Sequence, residues 1–191
     1  GLIAYIDGKV LYESKIRGIK VSSDNVLAYI TEMVEKLTQH AAETPHGITG
    51  VCIAIHGLVN QEEIIFTPNY TLQSDLKSQL EEMYPFYVYL ENEANLAALG
   101  EYTFGSISDS VVSLSIHTGI GAGIVENGKL RTGKKGKAGE IGHSILYPDG
   151  RKCPCGNEGC LEQYASHQAI YSELEQLLAL PDINSSVVIE R

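Results

Sequence analysis

The chain contains no apolar run approaching the roughly 20 residues that a membrane-spanning helix requires, so a helical bilayer span is excluded. Positive charge is also scarce: 14 Lys and Arg stand against 24 Asp and Glu, for a formal net charge of −10. Nucleic-acid affinity comes largely from clustered basic side chains, so this segment is not expected to grip phosphate backbones itself. Any DNA contact must be made by another segment. Cysteine is sparse as well, with four in 191 residues. Secreted disulfide scaffolds are shorter and denser in cysteine, and no export signal precedes these. With thiols that serve a metal, the cytoplasm is the expected location.

The cysteines that are present are concentrated. The stretch GEIGHSILYPDGRKCPCGNEGCLE, residues 139–162, places three of them beside a histidine and the carboxylates Glu140 and Glu162. His143, Cys153, Cys155 and Cys160 together make the donor set of a closed tetrahedral zinc site. Disulfide pairing is the competing reading of the same thiols. Only Pro154 separates Cys153 from Cys155, which is tight for two ligands of one metal, and Gly156 and Gly159 give the backbone freedom to wrap an ion. Cys52 lies in the apolar run VCIAI and is expected to be a buried small hydrophobe.

Residues 2–6 and 9–16 flank Asp7-Gly8, a pair suited to a tight hairpin in which both central residues take positive φ. Residues 22–24 then precede Val26, Leu27, Ile30, Met33, Val34 and Leu37, whose spacing predicts a capped amphipathic helix ending before Pro45. A strand is expected over 48–55, a loop through His56 and Gly57, a short strand over 64–66, a helix over 72–83 and a strand from 85 to 90. The pattern repeats with a helix over 92–100, a strand over 111–116, a glycine-rich turn over 117–123 and a second hairpin at Asn127-Gly128. Residues 132–138 read as a solvated basic loop. Strands alternating with helices predict an α/β protein with mixed sheets, with ligands beyond the carboxyl ends of the strands. Two lobes of related design are expected, divided near residue 92.

Asn92 and Glu93 open a helix directly after a buried strand. They could cap that helix, since acidic groups suit the positive end of its dipole, or they could hydrogen-bond the hydroxyls of a sugar. The turn over 118–123 could cradle an anion through its N–H groups, although no helix follows it as a dinucleotide fingerprint requires.

Taken in order, ENEANLAALGE, HTGIGAGIVENGKL, GKAGEIGH and CPCGNEGCLE closely resemble the ROK family of bacterial sugar kinases and sugar-responsive transcriptional repressors, over essentially the whole chain. The resemblance implies the actin-like ATPase (ribonuclease H-like) fold, with sugar held in the cleft between two α/β lobes. Residues 1–92 would be the N-terminal lobe without its first phosphate-loop strand. Residues 93–191 would begin the larger C-terminal lobe, which carries the zinc motif, so the chain is expected to be part of a longer protein. Carried over by motif, Asn92, Glu93, Glu140, His143 and Glu162 would surround the sugar, with Asn69 of the Thr67-Pro68-Asn69 loop a further contact. His143, Cys153, Cys155 and Cys160 would hold a structural Zn2+, and His143 would serve both sites, metal on one ring nitrogen fixing the other toward a hydroxyl.

In the kinases of this family an aspartate follows the asparagine and acts as general base. Glu93 stands there instead, its carboxylate one methylene further out, and a displacement near 1 Å can cost on the order of 10²-fold in rate. An Asp-x-Gly-Gly-Thr phosphate loop is absent. The absence of that loop does not by itself exclude a kinase parent, but Glu93 together with HGLV at 56–59 resembles the family's xylose repressors more than its glucokinases or fructokinases. The expectation is a non-enzymatic effector domain of a homodimeric repressor, binding a monosaccharide such as xylose, with operator DNA contacted by a helix-turn-helix head preceding Gly1. An ATP-dependent sugar kinase, with Glu93 as base and the 118–123 turn on phosphate, is the principal rival. A zinc-stabilised interaction module without a ligand is the other.

Overall fold

The computed structural model describes residues 1–17, 21–68, 70–72, 75–105 and 109–184. Asn69 lies outside the described residues. Strands β1 (Leu2–Ala4) and β2 (Val10–Glu13) form the expected antiparallel hairpin. Its turn differs from the expectation. Gly8 alone has positive φ, at 87°, and its N–H donates to the Tyr5 carbonyl at 2.9 Å, while the Asp7 carboxylate accepts from the Lys9 N–H at 3.0 Å. A three-residue loop that closes on a left-handed glycine matches strand twist as well as a two-residue turn does.

Helix α1 (Val26–Thr38) follows, extended by a 3-10 turn over Gln39–Glu43. Residues 22–24 do not cap it through a side chain. Asn25 is the N-cap residue, and its Oδ1 accepts from the Ser22 N–H at 2.8 Å instead. Strand β3 (Gly50–Ile55) leads into β4 (Leu58–Asn60) and β5 (Glu63–Phe66), an antiparallel hairpin, and then into α2 (Leu76–Met83) and β6 (Tyr87–Asn92). β3 and β6 pair in parallel, from Gly50 opposite Tyr87 to Ile55 opposite Asn92.

Alternation along these two strands sends Ile55, Val88 and Leu90 into one core with Val34 of α1 and Leu76 and Leu80 of α2. The opposite face carries Tyr87, Tyr89 and Cys52 and is exposed. Cys52 is therefore not a buried thiol. The apolar run containing it reads as a strand covered on both faces, but helices cover only one.

Helix α3 (Glu93–Phe104) then packs across the sheet of β7 (Ser110–Ile116), β8 (Ile120–Glu126) and β9 (Lys129–Leu130). The Asn127-Gly128 hairpin between β8 and β9 is borne out, with φ of 50° and 74° at its central residues. Residues 132–138 are not simply a solvated loop. They fold into a 3-10 turn over Lys134–Gly136 that rests on β4, where a Cβ on the buried Gly136 would fall 2.2 Å from the Val59 carbonyl oxygen.

The described residues close with α4 (Glu162–Ala165) and α5 (His167–Leu178). Buried Ser166 accepts from the Ala169 N–H at 3.1 Å and caps α5. Ser166→Ala is expected to destabilise the protein by about 1 kcal/mol, read as a lower denaturation midpoint at unchanged slope.

Candidate functional site

Because β3 and β6 are parallel and end in register at Ile55 and Asn92, the residues just beyond them, His56 and Glu93, emerge side by side. The His56 Nδ1 lies 2.7 Å from Glu93 Oε1. This loop is built closely. A Cβ on Gly57 would sit 2.2 Å from the Phe66 carbonyl oxygen, and the Gly57 carbonyl accepts from Asn92 Nδ2 at 2.7 Å. The other side of the Asn92 amide closes the start of α3, its Oδ1 accepting from the N–H groups of Ala94 at 2.8 Å and Asn95 at 3.2 Å. Capping is thus what the Asn92 oxygen does, while Glu93, in the first turn, points its carboxylate at an imidazole.

Packing accounts for part of the glycine pattern in the expected turn. Only 117–119 form the turn, and Gly121 and Gly123 lie within β8, paired with Ser115 and Ser113. A Cβ at Gly123 would stand 2.1 Å from the Ala94 carbonyl oxygen, so the residue is small to admit α3. At Gly119 a Cβ would come 2.8 Å from Glu162 Oε2, which brings that carboxylate beneath the turn.

The segment after residue 138 docks against β8. The Ala122 N–H donates to the Gly139 carbonyl at 2.9 Å, and Gly139, with φ of 83°, leaves no room for a Cβ, which would fall 1.8 Å from the Ala122 carbonyl oxygen. Glu140 and the 3-10 turn Ile141–His143 follow at once. His143 Nε2 lies 3.7 Å from Glu140 Oε2, and its Nδ1 lies 3.6 Å from Glu162 Oε1. Of the predicted sugar-binding set, Glu140, His143 and Glu162 are brought together directly. Glu93 joins them through His56, whose pKa is raised first by the hydrogen bond with Glu93 and also by the charges of Glu162 and Glu140. The Glu93 carboxyl is correspondingly lowered by His56, while burial raises Glu140. His56 was legible in the sequence only as part of HGLV. The signal for its role was available in the equal offset of His56 and Glu93 from two expected parallel strands.

His143, Cys153, Cys155 and Cys160 gather so that one ligand atom from each lies within 4.8 Å of all the others. Cys153 Sγ is 3.5 Å from His143 Nδ1 and Cys155 Sγ is 3.7 Å from Cys160 Sγ. Zinc bonds of about 2.3 Å to sulfur and 2.0 Å to nitrogen imply tetrahedral edges of roughly 3.5 Å for N···S and roughly 3.8 Å for S···S. The Cys153–His143 and Cys155–Cys160 spacings fit those edges. A disulfide of about 2.05 Å does not fit, and all four thiols are free. Burial pushes the Cys153 thiol up to about 12, so three crowded thiols call for a cation before they ionise together. Glu162 Oε1 borders the cluster, accepting from Cys153 Sγ at 3.3 Å and Gln163 Nε2 at 3.2 Å.

Comparison with known proteins agrees with these features. The sequence pattern of the ROK family matches residues 2–191. The xylose repressor of Bacillus subtilis (strain 168) is 36% identical over 191 residues, covering 96% of this chain and 50% of the repressor. A ROK family glucokinase from Streptomyces griseus, solved with glucose and AMPPNP, superposes with a TM-score of 0.81 at 32% identity over 94% of this chain and 57% of its own. A ROK family transcriptional regulator, a homolog of the E. coli MLC protein, gives 0.76 at 33% identity over 93% and 46%. The chain spans about half the length of the curated relatives it matches. Among the described residues no helix is long and apolar enough to cross a membrane. Its α/β architecture is the actin-like ATPase fold, and with the motifs, the cluster and the family pattern in agreement, the chain belongs to the ROK family.

Proposed function

We propose that the chain is the effector-binding part of a ROK transcriptional repressor and that its ligand is a monosaccharide, with xylose the first candidate. One observation carries this reading: Glu140 and Glu162 flank His143 at 3.7 and 3.6 Å, while Glu93 and His56, which feels their charge, stand just beyond the carboxyl ends of two parallel strands. Carboxylates in a partly dry cleft are suited to the vicinal hydroxyls of a sugar. The 36% identity with a xylose repressor supports the choice of ligand and of role.

In this reading Asn92, Glu93, Glu140, His143 and Glu162 bind the sugar between an N-terminal lobe, residues 1–92, and a C-terminal lobe beginning at 93. Asn92 offers the second hydrogen of an amide already held by Gly57, which makes it a rigid donor. A structural zinc on His143, Cys153, Cys155 and Cys160 would supply cross-linking and a fixed imidazole. The chain's own groups then set the ligand's orientation, with His143 Nε2 on the side of Glu140. DNA contact falls to a helix-turn-helix head rather than to this acidic segment, and the repressor acts as a homodimer.

The superposition on a glucokinase favours a second reading, an ATP-dependent sugar kinase using Glu93 as base. Calorimetry of the full-length protein with xylose, glucose and fructose, paired with ATP-turnover assays on each, separates the two. Xylose binding without turnover is expected, whereas phosphorylation of any of these sugars overturns the sensor assignment. Glu93→Gln is expected to weaken binding roughly ten-fold or more, since a hydrogen bond to a charged group contributes about 1.5–3 kcal/mol. Unchanged affinity in that variant would remove Glu93 from the pocket.

A further inference from the structure

His56 lies outside the sugar-binding set just proposed, yet its Nδ1 meets Glu93 Oε1 at 2.7 Å. We propose that His56 is a positioning residue: as an imidazolium it aims the Glu93 carboxylate at the effector, so that sugar affinity follows the charge of His56. This rests on the reading of the site as a sugar pocket.

The geometry is specific. Both partners are mounted on held backbone, His56 between the end of β3 and the tightly packed Gly57, and Glu93 on the first turn of α3 beneath its Asn92 cap. Glu93 Oε1 takes the imidazole at 2.7 Å, and its second oxygen makes no hydrogen bond among the described residues. That oxygen is the one left to accept from a hydroxyl. Two neighbouring elements add negative charge facing His56, with Glu140 ahead of the 3-10 turn and Glu162 on α4. His117, from the turn between β7 and β8, faces Glu93, and the Tyr70 phenol feels the same carboxylate. A carboxylate at a helix N-terminus is already favoured in its charged form. Adding an imidazolium makes it a fixed acceptor and a weaker base, which suits recognition better than proton abstraction.

The sign of the pH effect follows from the two partners. Glu93 is lowered from 4.5 and must be ionised, so the pair is complete above the ordinary carboxylate range. His56 is raised from 6.5 and must be protonated, so the pair loses its charge as pH rises through that elevated value. Sugar affinity is therefore expected to be highest in mildly acidic solution and to fall on the alkaline side.

The test compares full-length wild type, His56→Gln and His56→Ala by xylose calorimetry between about pH 6 and about pH 9, a window in which histidine titrates. Glutamine keeps a neutral donor. Wild-type affinity should fall several-fold across the window, and His56→Gln should show a flatter profile. Glu140, Glu162, His117 and His143 are present in both, so the difference between the two profiles reports on residue 56. His56→Ala should bind roughly ten-fold more weakly at the acidic end, the loss expected for a hydrogen bond to a charged group. In parallel, the ring resonances of His56 followed by NMR should report a lower pKa in Glu93→Gln than in wild type, which needs no sugar. Parallel pH profiles in wild type and His56→Gln, or an unshifted His56 pKa in Glu93→Gln, overturn the inference while leaving the sugar pocket standing. Failure of wild type to bind any sugar tested overturns both.

Discussion

Cys160→Ser is expected to abolish stoichiometric zinc and to lower the melting temperature by more than about 10 °C, a shift equivalent to several kcal/mol in a domain of this size. Cys160 is fully buried, with its Sγ 3.7 Å from that of Cys155 and 3.6 Å from the His143 carbonyl. Between the Ile141–His143 turn and α4 the only buried side chains are those of Cys153 and Cys160, and the other side-chain ties are exposed ones, from Arg151 to Gln163 and Glu173 and from the Tyr147 ring to that of Tyr164. The ordered backbone there amounts to two isolated bridges, Ile145 with Cys160 and Lys152 with Glu158, plus turn hydrogen bonds such as Gly159 N–H to the Arg151 carbonyl at 2.8 Å. The bulky apolar residues Ile145, Leu146 and Tyr147 face outward. A metal would then be the local core, and the binding free energy of a structural zinc, about 10–16 kcal/mol in small zinc domains, would be available for folding. Sugar affinity should fall with the metal, because His143 loses the partner that orients its ring. Elemental analysis that finds one zinc per chain in Cys160→Ser, or a chelator that leaves the melting curve in place, would contradict the assignment of this cluster.

Gly123→Ala should be nearly as damaging, with no metal or ligand involved. Its new methyl would meet the Ala94 carbonyl oxygen at 2.1 Å and Ala98 Cβ at 2.7 Å. Neither neighbour can yield cheaply. β8 is paired with β7 along its length and with β9 at its end, and α3 is fixed by the Asn92 cap and the Asn92–Gly57 link. A loss of about 3 kcal/mol or more is expected for such overpacking. Because the first turn of α3 carries Glu93, sugar binding should weaken along with stability. Gly100→Ala in α3 itself provides the contrast. Nothing lies within 4 Å of a Cβ there, so the substitution should stabilise by about 0.5–1 kcal/mol through helix propensity. Thermal melts of both variants decide the matter, and a wild-type melting temperature for Gly123→Ala would mean that α3 sits further from β8 than described.

What was legible in the sequence depended on how local the cause was. Asn127-Gly128 announces its own turn, and the helical spacing from Val26 to Leu37 announces α1. The β4–β5 hairpin is invisible by the same criterion, because its turn puts Gln61 and Glu62 at φ of 51° and 65°, where Asn and Gly are the usual residues. Gly121 and Gly123 suggested part of a turn able to cradle an anion, whereas both lie within β8 and Gly123 is required by a helix whose closeness no local pattern records. Cys52 misled for a related reason, since burial on one face or two depends on what covers the sheet. That His143, Cys153, Cys155 and Cys160 gather in one cluster, by contrast, was readable from residue type and spacing. The His56–Glu93 contact required knowing which strands are neighbours.

The in-register pairing of β3 with β6 acts as the gauge of the His56–Glu93 contact. Each residue of strand advances the chain by about 3.3 Å and reverses the direction of its side chain. One residue added or lost between Gly50 and Ile55 would carry the imidazole past its carboxylate and turn it toward the opposite face. Added residues are therefore expected to be tolerated at the turn of Gln61 and Glu62 and not within β3 or β6, whose ends must stay level for His56 to meet Glu93.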